Sequence, residues 1–168
     1  NRDLTQMKRR AGQVDYDDLM RCVWRALCSP QGASLAQTLR DRFRFALIDE
    51  FQDTDPRQWK IFRRVFVDGK SPNHSLYIIG DPKQAIYTFR GADVHTYIQA
   101  RYELIRTGAA RVPLQMNYRS SPRLIDALNV ILDQEGDAAL FQGPIKYSEP
   151  VKSGIQNLKL TDHTGRER

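Results

Sequence analysis

Three short polar segments of this sequence contain side chains that could do chemistry. The first segment, residues 49–55, begins with two adjacent carboxylates, Asp49 and Glu50, directly after an apolar run. Neighbouring carboxylates are costly to bury unless a cation accompanies them. Mg²⁺ would relieve that cost, because it commonly takes one or two carboxylates together with phosphate oxygens. The second carboxylate could then orient or deprotonate an attacking water.

The other acids of this segment, Asp53 and Asp55, allow a simpler interpretation. Acidic residues at the start of a helix complement its macrodipole, and the sequence favours that role for both. A metal-dependent nuclease built on all four carboxylates is a further hypothesis. It is the weakest one, because no lysine is placed beside the acids as such sites usually require.

The second segment, residues 80–93, mixes a cation, an amide and two aromatic side chains between two glycines. Tyr87 and Phe89 offer flat faces on which bases could stack, and Arg90 offers a phosphate contact. The alternative is a packed connection whose aromatic residues belong to the core. For Phe89 taken alone, that alternative is the better interpretation.

The third segment, residues 117–120, contains Arg119. An arginine at the end of a strand can neutralise the charge that develops on a transferring phosphoryl group. A lone arginine is more often a surface residue, so this segment indicates a phosphate site only in combination with the other two segments.

Hydrophobic periodicity predicts the elements that would position these segments. Short apolar runs predict buried strands over residues 45–48, 76–79 and 112–116. Amphipathic patterns predict helices over residues 16–27, 35–43, 56–66, 94–105 and 122–132, with caps at Asp15, Asp55, Asp93 and Ser121. The alternation predicts an α/β fold in which a parallel sheet is flanked by helices. Ligands bind beyond the carboxyl ends of such strands, where all three polar segments lie.

Composition sets wider bounds. The chain has 168 residues, with 26 Lys and Arg against 20 Asp and Glu, a net charge of +6 that fits a nucleic-acid or nucleotide partner. No apolar run is long enough to cross a membrane. Cys22 and Cys28 are expected to be buried, reduced thiols of a cytoplasmic protein. Beyond about residue 133 the pattern predicts only a loose extension.

Taken together, the three segments resemble the superfamily-one DNA helicases of the UvrD/Rep type. Residues 49–53 are similar to the Walker B element of these helicases, and residues 80–93 to the segment that links ATP to single-stranded DNA. Residues 117–120 are similar to the motif at the start of the second RecA-like domain. Within the family, the beta subunits of exodeoxyribonuclease V are most similar, on residues 49–56, 79–87, 89–93, 144 and 150–154.

The resemblance implies that ATP and Mg²⁺ are used and assigns a role to each matching residue. Asp49 would hold Mg²⁺, and Glu50 would activate the hydrolytic water. Gln84 would sense the γ-phosphate. Tyr118 would lie near the adenine, and Arg119 would act as an arginine finger.

The resemblance also implies how this chain meets DNA. Tyr87, Phe89 and Arg90 would contact the single strand. Many members of the family carry tryptophan at the position of Phe89, which implies weaker stacking here.

The domain organisation implied is part of a RecA-like P-loop NTPase helicase core. Residues 1–110 would form part of the first RecA-like domain without its P-loop, and residues 111–168 the start of the second with a loose extension. The chain would then be an internal fragment, inactive alone, of an ATP-dependent helicase and exonuclease subunit for double-strand break repair and recombination. Its partners would be single-stranded and double-stranded DNA and the other subunits of an exodeoxyribonuclease V complex, without a membrane. A non-catalytic DNA-binding or subunit-docking module of helicase ancestry is the alternative.

Overall fold

The structure, a computed structural model, describes residues 6–8, 10–69, 74–86, 93–134, 140–141 and 143–155. Contacts between Cα atoms divide the chain into two compact units, Asn1–Gly108 and Ala109–Arg168. Their assignment to two RecA-like domains stays a prediction.

The first unit contains helices, two strands and short irregular turns. In chain order these are α1 (Tyr16–Leu27), α2 (Gly32–Arg42), β1 (Phe45–Ile48), a 3₁₀ turn (Phe51–Asp53), α3 (Pro56–Phe62) continued by a π-helical turn (Arg63–Val67), β2 (Ser75–Ile78), a second 3₁₀ turn (Pro82–Gln84) and α4 (Val94–Arg106). The second unit contains β3 (Met116–Asn117), α5 (Pro122–Leu132) and β4 (Lys152–Ser153).

Strands β1 and β2 pair in parallel, with a register that runs from Phe45 opposite Ser75 to Ile48 opposite Ile78. One face of this sheet packs on the core through Ile48, Leu76 and Ile78. The opposite face is exposed, with Leu47 at 66% of its full accessibility. The prediction of fully buried strands was therefore wrong for this face, because the alternation of side chains leaves one row on each side of the sheet.

The core beneath the sheet is built on Phe51, Trp59 and Ala100, all of them buried. Phe51 and Trp59 meet edge to face, with ring centroids 5.7 Å apart. A second cluster of Leu27, Ala36 and Val65 joins α1, α2 and the π-helical turn. Helices α3 and α4 thus pack under the same strand ends that carry the polar segments.

Side-chain caps fix where α1, α3, α4 and α5 begin, as the sequence predicted. The carboxylate of Asp15 accepts from Asp18 N at 2.8 Å, and its hydrogen bond with Lys8 lowers its pKa to about 2. Asp93 accepts from His95 N at 3.0 Å. Each cap satisfies backbone N–H groups that the first turn leaves without an intrahelical partner.

Three further predictions need correction. The second strand covers Ser75–Ile78, one residue earlier than predicted. Residues 112–115 form no strand, and pairing begins only at Met116, where β3 meets β4 in parallel. Cys22 and Cys28 are exposed, because they lie on the outer side of α1 and at its end.

The fold is thus a mixture of helices and two small parallel sheets, in agreement with the predicted α/β class. In the part of the chain that the structure describes, no helix is long and apolar enough to cross a membrane.

Removal of the cap of α3 gives a test of this fold. Asp55 accepts from Arg57 N at 2.6 Å and from Gln58 N at 3.0 Å. We expect Asp55→Ala to lower the free energy of unfolding by about 0.5–2 kcal/mol, because these donors lose their acceptor. Urea unfolding followed by circular dichroism measures the loss. Asp55→Asn retains an accepting oxygen, so an equal loss in both variants would contradict the capping role.

Candidate functional site

Two backbone hydrogen bonds bring the polar segments of the first unit together. Ile79 N donates to Ile48 O at 2.8 Å, and Phe51 N donates to Ile79 O at 2.9 Å. These bonds extend the pairing of β1 and β2 beyond the last strand residues. The loop that follows β1 therefore lies against the loop that follows β2, at the carboxyl edge of the sheet.

Glu50 has an unusual backbone conformation at this edge. Its φ of 50° and ψ of 42° lie in the left-handed region, and no other non-glycine residue among those described has a positive φ. Asp49 Oδ1 accepts from Glu50 N at 2.9 Å. Both carboxylates are exposed, so they are accessible to a ligand. The left-handed turn costs about 1–2 kcal/mol, which the surrounding contacts must offset.

Gln52 is a residue of this site that the sequence analysis missed. Its side chain is 2% exposed and makes hydrogen bonds in two directions. Its Nε2 donates to Glu50 Oε2 at 2.6 Å, and its Oε1 accepts from Asp81 N at 3.0 Å. The one sequence signal that could have found it is its place two residues after the paired carboxylates.

The turn after β2 is organised by Asp81. Its carboxylate forms an ion pair with Lys83 Nζ at 2.8 Å and accepts from Gln84 Nε2 at 3.3 Å. Burial alone would raise the pKa of Asp81, but the bonds and charge of Lys83, helped by Gln84, lower it overall. The carboxylate thus stays ionised and holds Gln84 in the turn.

A cavity of about 520 Å³ lies between these two loops and is lined by Glu50, Gln52, Asp53, Gln84 and Ile86. The structure therefore brings Glu50 and Gln84, two of the predicted site residues, to one cavity. Asp53, which the sequence predicted to lie at a helix start, lies in the short 3₁₀ turn just before the cap of α3. Its Oδ1 is buried and has no hydrogen-bond partner among the described residues.

The carboxylates fit Mg²⁺ only in combination with other oxygen ligands. In the ranges that the structure describes, no three His, Cys, Asp or Glu residues form a group that could hold a metal ion. Mg²⁺ is usually bound by one or two carboxylates plus substrate phosphates. Asp49 and Glu50 could supply the carboxylates. The nuclease hypothesis needs more carboxylates in one place, and Asp55 is occupied as a helix cap.

In the second unit, Asn117 positions the backbone of the third polar segment. Its Oδ1 accepts from Arg119 N at 2.8 Å and from Ser120 N at 2.9 Å. Such a turn fixes the backbone while it leaves the flanking side chains free. Tyr118 and Arg119 are both exposed, as residues that meet a ligand must be.

The ring of Tyr118 lies directly over Gly154. A Cβ atom placed on Gly154 would come within 2.4 Å of the ring. Gly154 N donates to Asn117 O at 2.8 Å, which holds the two residues together. Gly154 thus leaves the space that the ring occupies, and Tyr118 remains 69% exposed.

The predicted DNA-contacting residues Tyr87, Phe89 and Arg90 lie outside the described residues. Their proposed contacts with DNA stay predictions.

The chain belongs to the UvrD/REP helicase N-terminal domain family, whose model matches residues 2–104. The matched range includes both loops of the cavity, so the site of the first unit lies inside the family's domain.

Among individual proteins, the chain is similar to the RecBCD enzyme subunit RecB of several bacteria. It is 45% identical to that of Escherichia coli K12 over 153 residues, which are 91% of this chain and 12% of the relative. It is 42% identical to that of Haemophilus influenzae over 81% of this chain and 11% of the relative. The match to Chlamydia trachomatis reaches 49% over 57% of this chain and 9% of the relative. The chain thus spans about an eighth of the length of these relatives or less.

The contact between Tyr118 and Gly154 can be tested. We expect Gly154→Ala to displace the Tyr118 ring with a stability change within about 0.5 kcal/mol, because an exposed ring can swing away. Fluorine NMR of the chain labelled with 3-fluorotyrosine measures the displacement, and Tyr118→Phe assigns its resonance. The control is Lys152→Ala on the same strand, which should leave that resonance unchanged. An unmoved Tyr118 resonance in Gly154→Ala would contradict the contact.

Proposed function

We propose that this chain is part of an ATP-dependent DNA helicase and exonuclease subunit that acts in double-strand break repair and recombination. The chain's membership of a helicase family and its similarity to RecB support the proposal. In this proposal, ATP hydrolysis is coupled to translocation on single-stranded DNA. The fold would be part of a RecA-like P-loop NTPase core, with the first unit in one RecA-like domain and the second unit at the start of the next.

One observation carries the proposal: Glu50 and Gln84 line the same cavity although they follow different strands. Glu50 would act as the general base for the hydrolytic water, since its carboxylate is accessible and lies at the edge of the sheet where ligands bind. Gln84 would meet the γ-phosphate, because an amide can donate a hydrogen bond to a phosphate oxygen.

Asp49 would supply a carboxylate oxygen to Mg²⁺, which shares its remaining ligands with phosphate and water. Bound Mg²⁺ would neutralise phosphate charge. Glu50 N donates to the Asp49 carboxylate, so the two acids are oriented relative to each other by the chain itself.

In the second unit, Tyr118 would lie near the adenine and Arg119 would neutralise charge on the transferring phosphoryl group. The exposure of Tyr118 and the Asn117 turn before Arg119 support these roles. Tyr87, Phe89 and Arg90 would bind single-stranded DNA by stacking and phosphate contact.

The partners in this proposal are single-stranded and double-stranded DNA and the other subunits of a RecBCD-type enzyme. The relatives are RecB subunits of RecBCD enzymes, which supports a multisubunit assembly. We place the protein in the cytoplasm, where its DNA substrate would be found. The exonuclease part of the proposal rests on the resemblance of the sequence motifs, and no group of described residues accounts for it.

The test of the proposed base is Glu50→Gln in the full-length protein that contains this chain. The amide keeps the shape of the side chain and removes its basicity, so we expect ATP turnover to fall at least about 100-fold. Nucleotide binding, measured with a fluorescent ATP analogue, should stay within about threefold.

The matched control is Glu149→Gln, which removes a carboxylate from an ion pair with Arg111 in the second unit. It should retain normal ATP turnover. ATPase activity of Glu50→Gln within a few-fold of the unmodified protein would remove Glu50 from catalysis. That result would favour the alternative of a non-catalytic DNA-binding or docking module.

A further prediction separates the three DNA-contacting residues by mechanism. In the full-length protein, Tyr87→Ala or Phe89→Ala should each weaken single-stranded DNA binding by about 1–3 kcal/mol without a change in salt dependence. Arg90→Ala should instead lower the slope of log affinity against log salt by about one unit, since one fewer counterion is released.

The control for these variants is Tyr102→Ala, which removes an exposed aromatic side chain from α4. Fluorescence anisotropy with labelled oligonucleotides at several salt concentrations measures all four variants. Normal DNA affinity in both aromatic variants, accompanied by a much lower melting temperature, would identify Tyr87 and Phe89 as core residues.

A further inference from the structure

The buried amide of Gln52 joins the two loops of the cavity. An amide removed from water is costly unless both of its polar atoms find partners. Gln52 is 2% exposed, and both atoms are satisfied. The oxygen and nitrogen are distinguished by chemistry, because the Glu50 carboxylate can only accept and the Asp81 N–H can only donate.

The bond from Gln52 to Glu50 restrains a carboxylate on a strained backbone. Glu50 is in the left-handed region, and Phe51 N is tied to Ile79 O directly after it. The backbone therefore turns back, and the side chain of Gln52 approaches Glu50 Oε2 at 2.6 Å. A side chain with free rotamers would otherwise sample several positions at the mouth of the cavity.

Gly80 leaves the space that this amide needs. A Cβ atom at Gly80 would lie 2.7 Å from Gln52 Oε1 and 3.0 Å from Phe51 N. The φ of Gly80 is outside the left-handed region, so the glycine is needed for space and not for conformational freedom. The placement of the Gln52 amide thus depends on Gly80, 28 residues further along the chain, as well as on Gln52 itself.

We propose that Gln52 is the positioning residue of this site: it holds the Glu50 carboxylate in its working orientation and ties it to the Asp81–Gln84 turn. The inference rests on the proposed function, in which Glu50 is the base and Gln84 meets the γ-phosphate. Gln52 would thereby fix the distance and orientation of the Glu50 carboxylate relative to the Asp81–Gln84 turn.

The test compares the same substitution at two glutamines of the full-length protein. Gln52→Met keeps the volume of the side chain and removes both hydrogen bonds. Gln58→Met is the matched control, since Gln58 also accepts from a backbone N–H, that of Asp55, and donates to a side chain, Tyr16 Oη, both at 2.9 Å. Gln58 belongs to the cap of α3 and does not line the cavity.

For Gln52→Met we expect the kcat of ATP hydrolysis to fall about 10- to 100-fold, the effect of one lost hydrogen bond to a charged group. The KM for ATP and the affinity for a fluorescent ATP analogue should stay within about threefold. Hydrogen exchange should show faster exchange of the Asp81 amide, which has lost its acceptor. Gln58→Met should change none of these quantities beyond about threefold, even if it melts at a lower temperature.

Two further variants complete the test. Gly80→Ala should reproduce the loss of kcat, because its methyl group displaces the Gln52 amide. In the Glu50→Gln background, Gln52→Met should lower kcat by no more than about twofold, since a positioning residue acts through the group it positions.

The outcomes separate this inference from the function on which it rests. If Glu50→Gln retains ATP turnover, the proposed function is overturned, and the positioning role that rests on it is overturned with it. If Glu50→Gln is inactive while Gln52→Met matches Gln58→Met in kcat, the proposed function stands and the positioning role is overturned. Equal losses of kcat in Gln52→Met and Gln58→Met, in proportion to lower melting temperatures, would also overturn it.

Discussion

Ile79 uses both of its backbone polar groups to hold the two loops of the first unit together. Its N–H donates to Ile48 O at 2.8 Å and its carbonyl accepts from Phe51 N at 2.9 Å. A shift of this register by one residue would turn each side chain of the strand to the opposite face. Glu50 and Gln84 would then no longer line one cavity. The position of the candidate site therefore depends on the pairing of β1 with β2.

The core stabilises this arrangement from below. Phe51 follows the strained residue Glu50, and its fully buried ring contacts Trp59 at 5.7 Å and Tyr97 at 5.9 Å between centroids. Burial of a phenylalanine side chain contributes about 1.5–3 kcal/mol. The left-handed conformation of Glu50 costs about 1–2 kcal/mol, so the burial of its neighbour is enough to offset it. Tyr97 Oη also donates to Gly80 O at 3.2 Å, which connects the same core to the second loop.

Local signals in the sequence predicted much of this fold, and the long-range features escaped them. The caps at Asp55 and Ser121 follow from residues within three positions of each helix start. The strand predicted over 112–116 began too early, because alternating Val112 and Leu114 look like a strand, while pairing starts only at Met116, where β4 meets the chain. The exposed face of β1 was missed for a related reason, since an apolar run does not reveal what covers it.

Gln52 shows the same limit within the candidate site. Paired carboxylates after a strand indicate a ligand site, so Asp49 and Glu50 could be selected from sequence. The role of Gln52 depends on Asp81, 29 positions away, and becomes visible only when the two strands are paired. Asn117 differs from Gln52, because its bonds to Arg119 N and Ser120 N form a local turn of the kind that asparagine favours, so its role could have been predicted from the sequence.

The chemistry of the position explains why an amide of this length is needed at residue 52. One end must donate to a carboxylate and the other must accept from a backbone N–H, without adding charge. Glutamate would place a second negative charge against Glu50, and lysine or arginine has no acceptor for Asp81 N. Asparagine has the same amide but one methylene less, so it could not reach both partners from the same backbone. Glutamine satisfies both bonds and donates only to Oε2 of Glu50, so it leaves Oε1 of that carboxylate available to water.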